Sequence, residues 1–266
     1  MLVLGRVVPS REKEQKMSGR FHGKTVLVTG GGTGLGLGAA QLFVAEGATV
    51  FIAGRRAEQL EAARASMAGS PGTIVAVPCD VTVQHDLDRL FAVIGEHAGP
   101  LDVVVANAGA GVFSPLGSYT AEDLHASLGL NLVSMMMTVQ GALPLVPDGG
   151  AVVVMSSIEG LRGSEGLGPY AAAKAAGKSL ARTWANELKS RRIRVNAISP
   201  GVVFTPAYIN IGLTESDMDP VIPLIPAGRL GQVDEVARAI AFLASDDSSF
   251  VNGTDLVVDG GQTGVV

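Results

Sequence analysis

Three observations predict a doubly wound α/β domain, a seven-stranded parallel sheet with helices on both faces. Seven short runs rich in β-branched residues recur along the chain, helical stretches separate them, and a glycine-rich turn joins the first run to the first helix. Near-continuous Val/Ile runs suit strands buried on both faces, and alternation of strand with helix places such strands in parallel.

The expected strands are 24–30 (KTVLVTG), 48–54 (ATVFIAG), 73–80 (TIVAVPCD), 101–109 (LDVVVANAG), 150–157 (GAVVVMSS), 193–201 (IRVNAISPG) and 255–261 (DLVVDGG). Helices are expected over 36–47 and 57–69, where Gly47 and Gly69 supply C-terminal caps. Further helices follow over 85–99, 121–146, 170–191 and 233–246, and Met135–Met137 read as core filler on the long 121–146 stretch. No repeat or interdomain linker interrupts residues 21–266, so that span is expected to be one domain. Residues 1–20 carry a broken apolar run followed by charges, unlike a cleavable leader. They are expected to form a mobile arm, within which Met17 offers an alternative start.

A chain of 266 residues that is 47 % hydrophobic, 17 % charged and rich in glycine suits a compact enzyme. A net charge of −5 argues against a nucleic-acid partner, and no apolar run is long enough to span a membrane. Arg55-Arg56 and Arg191-Arg192 with Arg194 are local basic exceptions. The single cysteine, Cys79, excludes an internal disulfide and suits a reducing, cytoplasmic setting. His22, His85, His97 and His125 lack ligand spacing, so no metal is expected.

The turn TGGGTGLG, residues 29–36, follows a strong strand and opens a helix. Gly30, Gly34 and Gly36 allow a tight turn and close backbone approach, with Thr33 and Leu35 at a helix N-terminus suited to phosphate. This context points to a dinucleotide in a Rossmann-type fold. At the end of the second strand, where an acid would accept from a ribose 2′-hydroxyl, stand Gly54, Arg55 and Arg56. Guanidinium groups bind a 2′-phosphate that a carboxylate would repel, so NADP(H) is favoured over NAD(H).

The G-x-x-x-G-x-G spacing resembles the short-chain dehydrogenase/reductase family in its short, single-domain subtype. The resemblance extends from Lys24 to Gly261 through Tyr170-x-x-x-Lys174, Ser157 thirteen residues before the tyrosine, Asn131, and Pro200-Gly201 with Thr205. Alone, a Tyr-x-x-x-Lys pair is a common helical accident; beside Ser157, Asn131 and the dinucleotide turn it is not. The resemblance implies that Asp80, with Val81, holds the adenine. It also implies that Asn107-Ala108-Gly109 lie beside the adenosine ribose, although Ala106 stands where the family has a second asparagine. Pro200, Gly201, Val203 and Thr205 would line the nicotinamide.

Hydride leaving a secondary alcohol requires a base for the hydroxyl proton, and in reverse an acid for the carbonyl oxygen. Tyr170 fits that role. Lys174, one turn on, supplies a cation that favours phenolate and can also bind the nicotinamide ribose. Ser157 can stabilise charge on the same oxygen. Asn131 is implied by the resemblance to hold a relay water, and Ser156 is expected to be structural.

The segment 202–229 has the length of a lid over the ligand edge. Its Phe204, Tyr208, Ile209, Ile211, Leu213 and Met218, with Phe113 and Ile158 nearby in sequence order, predict a largely apolar pocket for a small carbonyl or alcohol. A 3-oxoacyl carrier-protein reductase is the alternative, against which the acidic PDGG (147–150) counts, since that group usually carries basic residues there. A non-catalytic dinucleotide sensor is a further alternative, disfavoured by the intact proton-transfer set. Relatives of this type are commonly homotetramers, and a homodimer is the next expectation.

Overall fold

The computed structural model describes residues 19–210 and 212–265. Residues 1–18 of the expected arm, and Ile211, lie outside the described residues. Gly19 and Arg20 are described, and the Arg20 guanidinium is held on the domain by paired 2.6 Å bonds to Glu46.

The chain runs β1 (Thr25–Thr29), α1 (Gly34–Ala45), β2 (Thr49–Gly54), α2 (Ala57–Ser66), β3 (Thr73–Pro78), α3 (Gln84–Ala98) and β4 (Val103–Ala106). It continues through α4 (Ala121–Leu128), a π-helical segment (Gly129–Val133), α5 (Ser134–Ala142), β5 (Ala151–Met155), α6 (Gly168–Glu187) and β6 (Arg194–Pro200). A short α7 (Pro206–Ile209), a 3₁₀ stretch (Glu215–Leu224), α8 (Val233–Ala244) and β7 (Asp255–Val258) complete it. All seven expected strands form one sheet in the order β3-β2-β1-β4-β5-β6-β7, every pairing parallel.

Alternation of side chains across each strand divides the core into two layers. Val26, Val28, Val50 and Ile52 pack with Phe43 of α1, Leu60 of α2 and Val236 and Ile240 of α8. The intervening Leu27 and Phe51 face the opposite layer, with Leu90 and Ile94 of α3, Val139 of α5 and Ala181 of α6. Complete burial of strands such as β1 and β5 explains why their sequences are apolar throughout rather than alternating.

Helix ends follow the expected signals: Gly47 and Gly69 both have positive φ, as does Gly99 after α3. The stretch 121–146 departs from expectation, since it is broken by the π segment and α5 ends at Ala142. Its methionines also divide. Met135 is buried and Met137 packs against the core, but Met136 is exposed.

The basic cluster near β6 is structural. Arg191 donates to the carbonyls of Leu143 and Val146, just past α5, and contacts Asp148 at 3.3 Å. Arg194 donates to the Leu243 and Ser245 carbonyls and to the Ser248 hydroxyl, closing the C-terminal end of α8. Cations placed there offset the negative end of the helix dipole. Among the described residues no helix is long and apolar enough to cross a membrane, and no cluster of His, Cys, Asp or Glu could hold a metal ion.

The order of strands fixes where a ligand can bind. From β1 the chain moves outward to β2 and β3, then returns to β4 on the other side of β1. The connections leaving β1 and β4 therefore diverge, opening a crevice at the carboxyl edge of the sheet.

Candidate active site

Both walls of that crevice are tied to each other. The Thr29 hydroxyl, at the end of β1, accepts from the backbone N–H groups of Asn107 and Ala108 at 3.1 Å each. The Asn107 amide donates back to the Thr29 carbonyl at 2.8 Å. The expected ribose residue Asn107 thus has its side chain committed to shaping the turn. Thr29, the first residue of the expected glycine-rich turn, is its partner. Gly30 and Gly34 have φ of +66° and +56°, and a Cβ at Gly36 would collide with the Gly30 carbonyl and the Asn107 amide. These glycines leave a backbone cradle ahead of α1, the shape a pyrophosphate requires. Thr205 lies against it, its Cβ 3.5 Å from the point a Gly34 Cβ would occupy.

At the end of β2, Arg55 and Arg56 are exposed, and among the described residues neither side chain has a hydrogen-bond or ion-pair partner. Asp80, after β3, accepts from the Thr82 N–H at 3.0 Å and the Thr82 hydroxyl at 2.7 Å. Burial pushes its carboxyl up, but the two Thr82 donors and the charge of Arg55 outweigh that and hold it below the usual range. Val81 is buried beside it. This edge fits the adenosine end of a dinucleotide, with Arg55 close enough to Asp80 to share its field. Pro200 ends β6, and Gly201 is paired to Val258 at 2.9 Å, where a Cβ would press on Asp259. Val203 is buried and bridges to Gly231.

The proton-transfer set converges opposite these turns. Pro169 in the first turn of α6 places Tyr170 and Lys174 one turn apart on the helix. Lys174 is 4 % exposed, and its ammonium donates to the Met155 carbonyl at 2.9 Å. It also lies 5.5 Å from the centre of the Tyr170 ring. The Ser156 hydroxyl donates to the Lys174 carbonyl at 2.8 Å, in agreement with a structural role. Ser157 is next along β5's exit, its hydroxyl accepting from the Glu159 N–H at 3.2 Å.

Asn131 sits in the π segment at 3 % exposure. Its amide donates to the carbonyls of Ala110 at 2.9 Å and Ser127 at 3.0 Å, and its Oδ1 accepts from Ala110 N–H at 3.1 Å. The side chain is therefore a clasp for the loop after β4. A Cβ on Gly109 would come within 2.6 Å of Asn131 Oδ1 and 3.1 Å of Lys174 Nζ. The absence of a side chain at Gly109 is what lets these two groups share one corner.

Burial dominates the acid–base balance. It pushes the Tyr170 phenol up to about 12, with the Ser157 hydroxyl working in the opposite direction. It also pulls Lys174 down to about 8. Burial thus opposes the phenolate form that the Lys174 cation is expected to favour, because both groups lose water together. Tyr170 therefore holds its proton at neutral pH.

The segment after β6 carries Phe204 and Tyr208, part-buried and stacked with centroids 5.9 Å apart. Phe113 is 68 % exposed and its ring lies against Gly166, at a rim rather than in a closed pocket. Ile158 is 2 % exposed and offers almost no surface to a ligand. Of the lid's other apolar residues, Met218 is buried and Ile209 exposed.

A family model described as enoyl-(acyl carrier protein) reductase matches residues 30–263. The chain is 43 % identical over 244 residues to oxidoreductase asL5 of Sarocladium schorii, covering 91 % of this chain and 96 % of that one. It is 36 % identical over 244 residues to the 3-oxoacyl-(acyl-carrier-protein) reductase FabG of Thermotoga maritima, covering 91 % and 98 %. Among solved structures, that of levodione reductase is similar with a TM-score of 0.85 and 32 % identity, over 93 % of this chain and all of that one.

The clasp at Asn131 gives a stability prediction. Asn131→Ala removes three hydrogen bonds and is expected to cost about 2 kcal/mol, lowering the thermal midpoint by roughly 4–8 °C. Circular dichroism melts check this, and an unchanged midpoint would show the loop to be held by other contacts.

Proposed function

The chain belongs to the short-chain dehydrogenase/reductase family, and we propose that within it the protein is an NADP(H)-dependent oxidoreductase acting on the carbonyl or secondary alcohol of a largely apolar small molecule. The observation that carries this reading is the convergence of Ser157, Tyr170 and Lys174 at the carboxyl edge of the sheet, across from the glycine cradle.

When bound, the nicotinamide gives or takes the hydride. The residues of the chain position the substrate and move the proton. In reduction, the Tyr170 hydroxyl donates to the carbonyl oxygen. The Ser157 hydroxyl, which already accepts the Glu159 N–H, has its own proton free to donate to the same oxygen and to steady its developing charge. Lys174 keeps a positive charge beside the phenol and binds the nicotinamide ribose, anchored meanwhile by the Met155 carbonyl. Asn131 holds the loop whose Gly109 borders Lys174, the corner through which a water relay to the ammonium would run. In oxidation the same groups act in reverse, and Tyr170 must first lose its proton.

The unpartnered Arg55 and Arg56 support a 2′-phosphate ligand, since neither is used by the fold. Stacked Phe204 and Tyr208, with Phe113 at the rim, support an apolar substrate. The edge strand β7 and the exposed Phe250, Val133 and Met136 support assembly into a homotetramer, and the single buried thiol of Cys79 supports a cytoplasmic setting. A second reading, reduction of 3-oxoacyl groups on acyl carrier protein, is favoured by the likeness to FabG. Turnover of a carrier-bound 3-oxoacyl thioester far above that of small ketones would select it.

Tyr170→Phe is expected to retain NADPH affinity while lowering turnover by about 10²–10⁴-fold. Retention of half the wild-type rate in a stopped-flow or steady-state assay would overturn the assignment. The pH profile follows from the two shifts. Reduction needs neutral Tyr170 and charged Lys174, so kcat/KM is expected to be flat below about 8 and to fall above it as Lys174 deprotonates. Oxidation needs ionised Tyr170 and is expected to climb with pH toward about 12. Arg55→Ala should weaken NADPH by about 10-fold or more, the scale of a charge-assisted bond, and NADH little. Equal losses in fluorescence titrations with the two cofactors would remove the phosphate argument.

A further inference from the structure

Glu159 is two residues past Ser157, in the single 3₁₀ turn Ile158–Gly160, and only 9 % of it is exposed. Its carboxylate is used on one side only. Oε1 accepts both Arg162 bonds, from Nε at 3.0 Å and from Nη2 at 2.6 Å. Oε2 is buried and has no donor at all. A buried carboxylate oxygen without a donor is costly, and a fold that keeps one beside its reaction centre has a use for it.

Two phenols face this group. Burial is the main reason that Tyr170 and Tyr208 hold their protons, and the charge of Glu159 adds to the effect at each. Its charge therefore reaches both the phenol of α6 and the one on the segment after β6. The Tyr208 ring is stacked on Phe204, and its hydroxyl makes no bond to Glu159. Arg162 directs both of its bonds to Oε1 and none to Oε2. In the structure Oε2 is left open to a donor carried by a ligand.

We propose that Glu159 is a specificity-determining residue whose free Oε2 accepts a hydrogen bond from a hydroxyl on the carbon beside the reacting carbonyl. The inference rests on the carbonyl-reductase reading above and narrows it: the favoured substrates are 2-hydroxyketones, or vicinal diols in the oxidative direction, carried on an apolar body. The spacing supports this. Ser157 and Tyr170 mark the place of the carbonyl oxygen, and Glu159 follows Ser157 by one turn of backbone. The same negative charge excludes substrates bearing a carboxylate at that carbon.

The test compares 2-hydroxyacetophenone with propiophenone, which replaces the hydroxyl by a methyl group of similar size. With NADPH, wild-type kcat/KM is expected to favour the hydroxyketone by about 10-fold or more, the scale of one hydrogen bond to a charged acceptor. Glu159→Leu should bring the ratio close to one. Glu159→Gln, which keeps an acceptor for Arg162 and so guards against misfolding, should do the same, whereas Tyr208→Phe should preserve the preference. A wild-type ratio near one, a ratio that survives Glu159→Leu, or a ratio lost only in Tyr208→Phe would overturn the proposal. Should neither ketone be reduced, the carbonyl-reductase reading fails, and the subsite is then read by calorimetry with NADP+ present. Tighter binding of 1-phenylethane-1,2-diol than of 1-phenyl-1-propanol, abolished by Glu159→Leu, would uphold the subsite, and equal affinities would overturn it.

Discussion

The candidate site depends on a reciprocal pair of bonds between the end of β5 and the first turns of α6. Lys174 gives its ammonium to the Met155 carbonyl, and its own carbonyl takes the Ser156 hydroxyl. Three consecutive residues of the chain are fixed by this exchange. Met155 and Ser156 are held directly, and Ser157 emerges next to them in an extended conformation with its hydroxyl beside Tyr170. A strand end and a helix start that would otherwise meet only through apolar contacts are thereby locked in register. Desolvating an ammonium is expensive, and the Met155 carbonyl together with the Tyr170 ring is what offsets it. The arrangement also explains why burial raises one group and lowers the other. Both sit behind the same surface, and since loss of water favours the neutral form of each, their proton affinities move apart.

The opposite wall is built on a different principle. Around Gly30, Gly34 and Gly36 the chain removes side chains instead of adding them, and the Thr29–Asn107 bonds hold the emptied turn in place. Gly109 extends the same device to the corner shared by Asn131 and Lys174. One wall is thus rigid through side-chain bonds buried in the core, and the other through backbone that can approach a ligand closely.

Much of this was legible in the sequence because it has a local signature. Strands buried on both faces read as runs of valine and isoleucine, and glycine marks the helix exits at Gly47, Gly69 and Gly99. The Tyr170–Lys174 spacing puts both side chains on one helix face whatever surrounds them. What was not legible depends on tertiary partners. Nothing in the residues 121–146 announces a change of helical pitch, since their apolar spacing is continuous enough for one helix. The commitment of Asn107 and Asn131 to backbone groups far along the chain has no local cue. Neither has the burial of Ile158, which shares its short turn with the part-exposed Gly160. The burial of Tyr170 is hidden for the same reason: the charge of a neighbour can be read from spacing, but the loss of water cannot. Arg191 and Arg194 looked like a basic patch and proved to be helix-end donors, because their acceptors are carbonyls about 45–50 residues away in sequence.

The π segment at Gly129–Val133 gives α4 and α5 a different rotational offset from the one an unbroken α-helix would impose. An unbroken α-helix would tie the direction of Asn131 to that of Met135 and Val139, so the clasp and the core contacts would compete for one azimuth. The wider turn shifts the phase, so that Asn131 bonds Ala110 while Met135 and Val139 remain in the core. The bulge acts as a phase joint, letting one run of helix present one azimuth to the ligand edge and another to the interior.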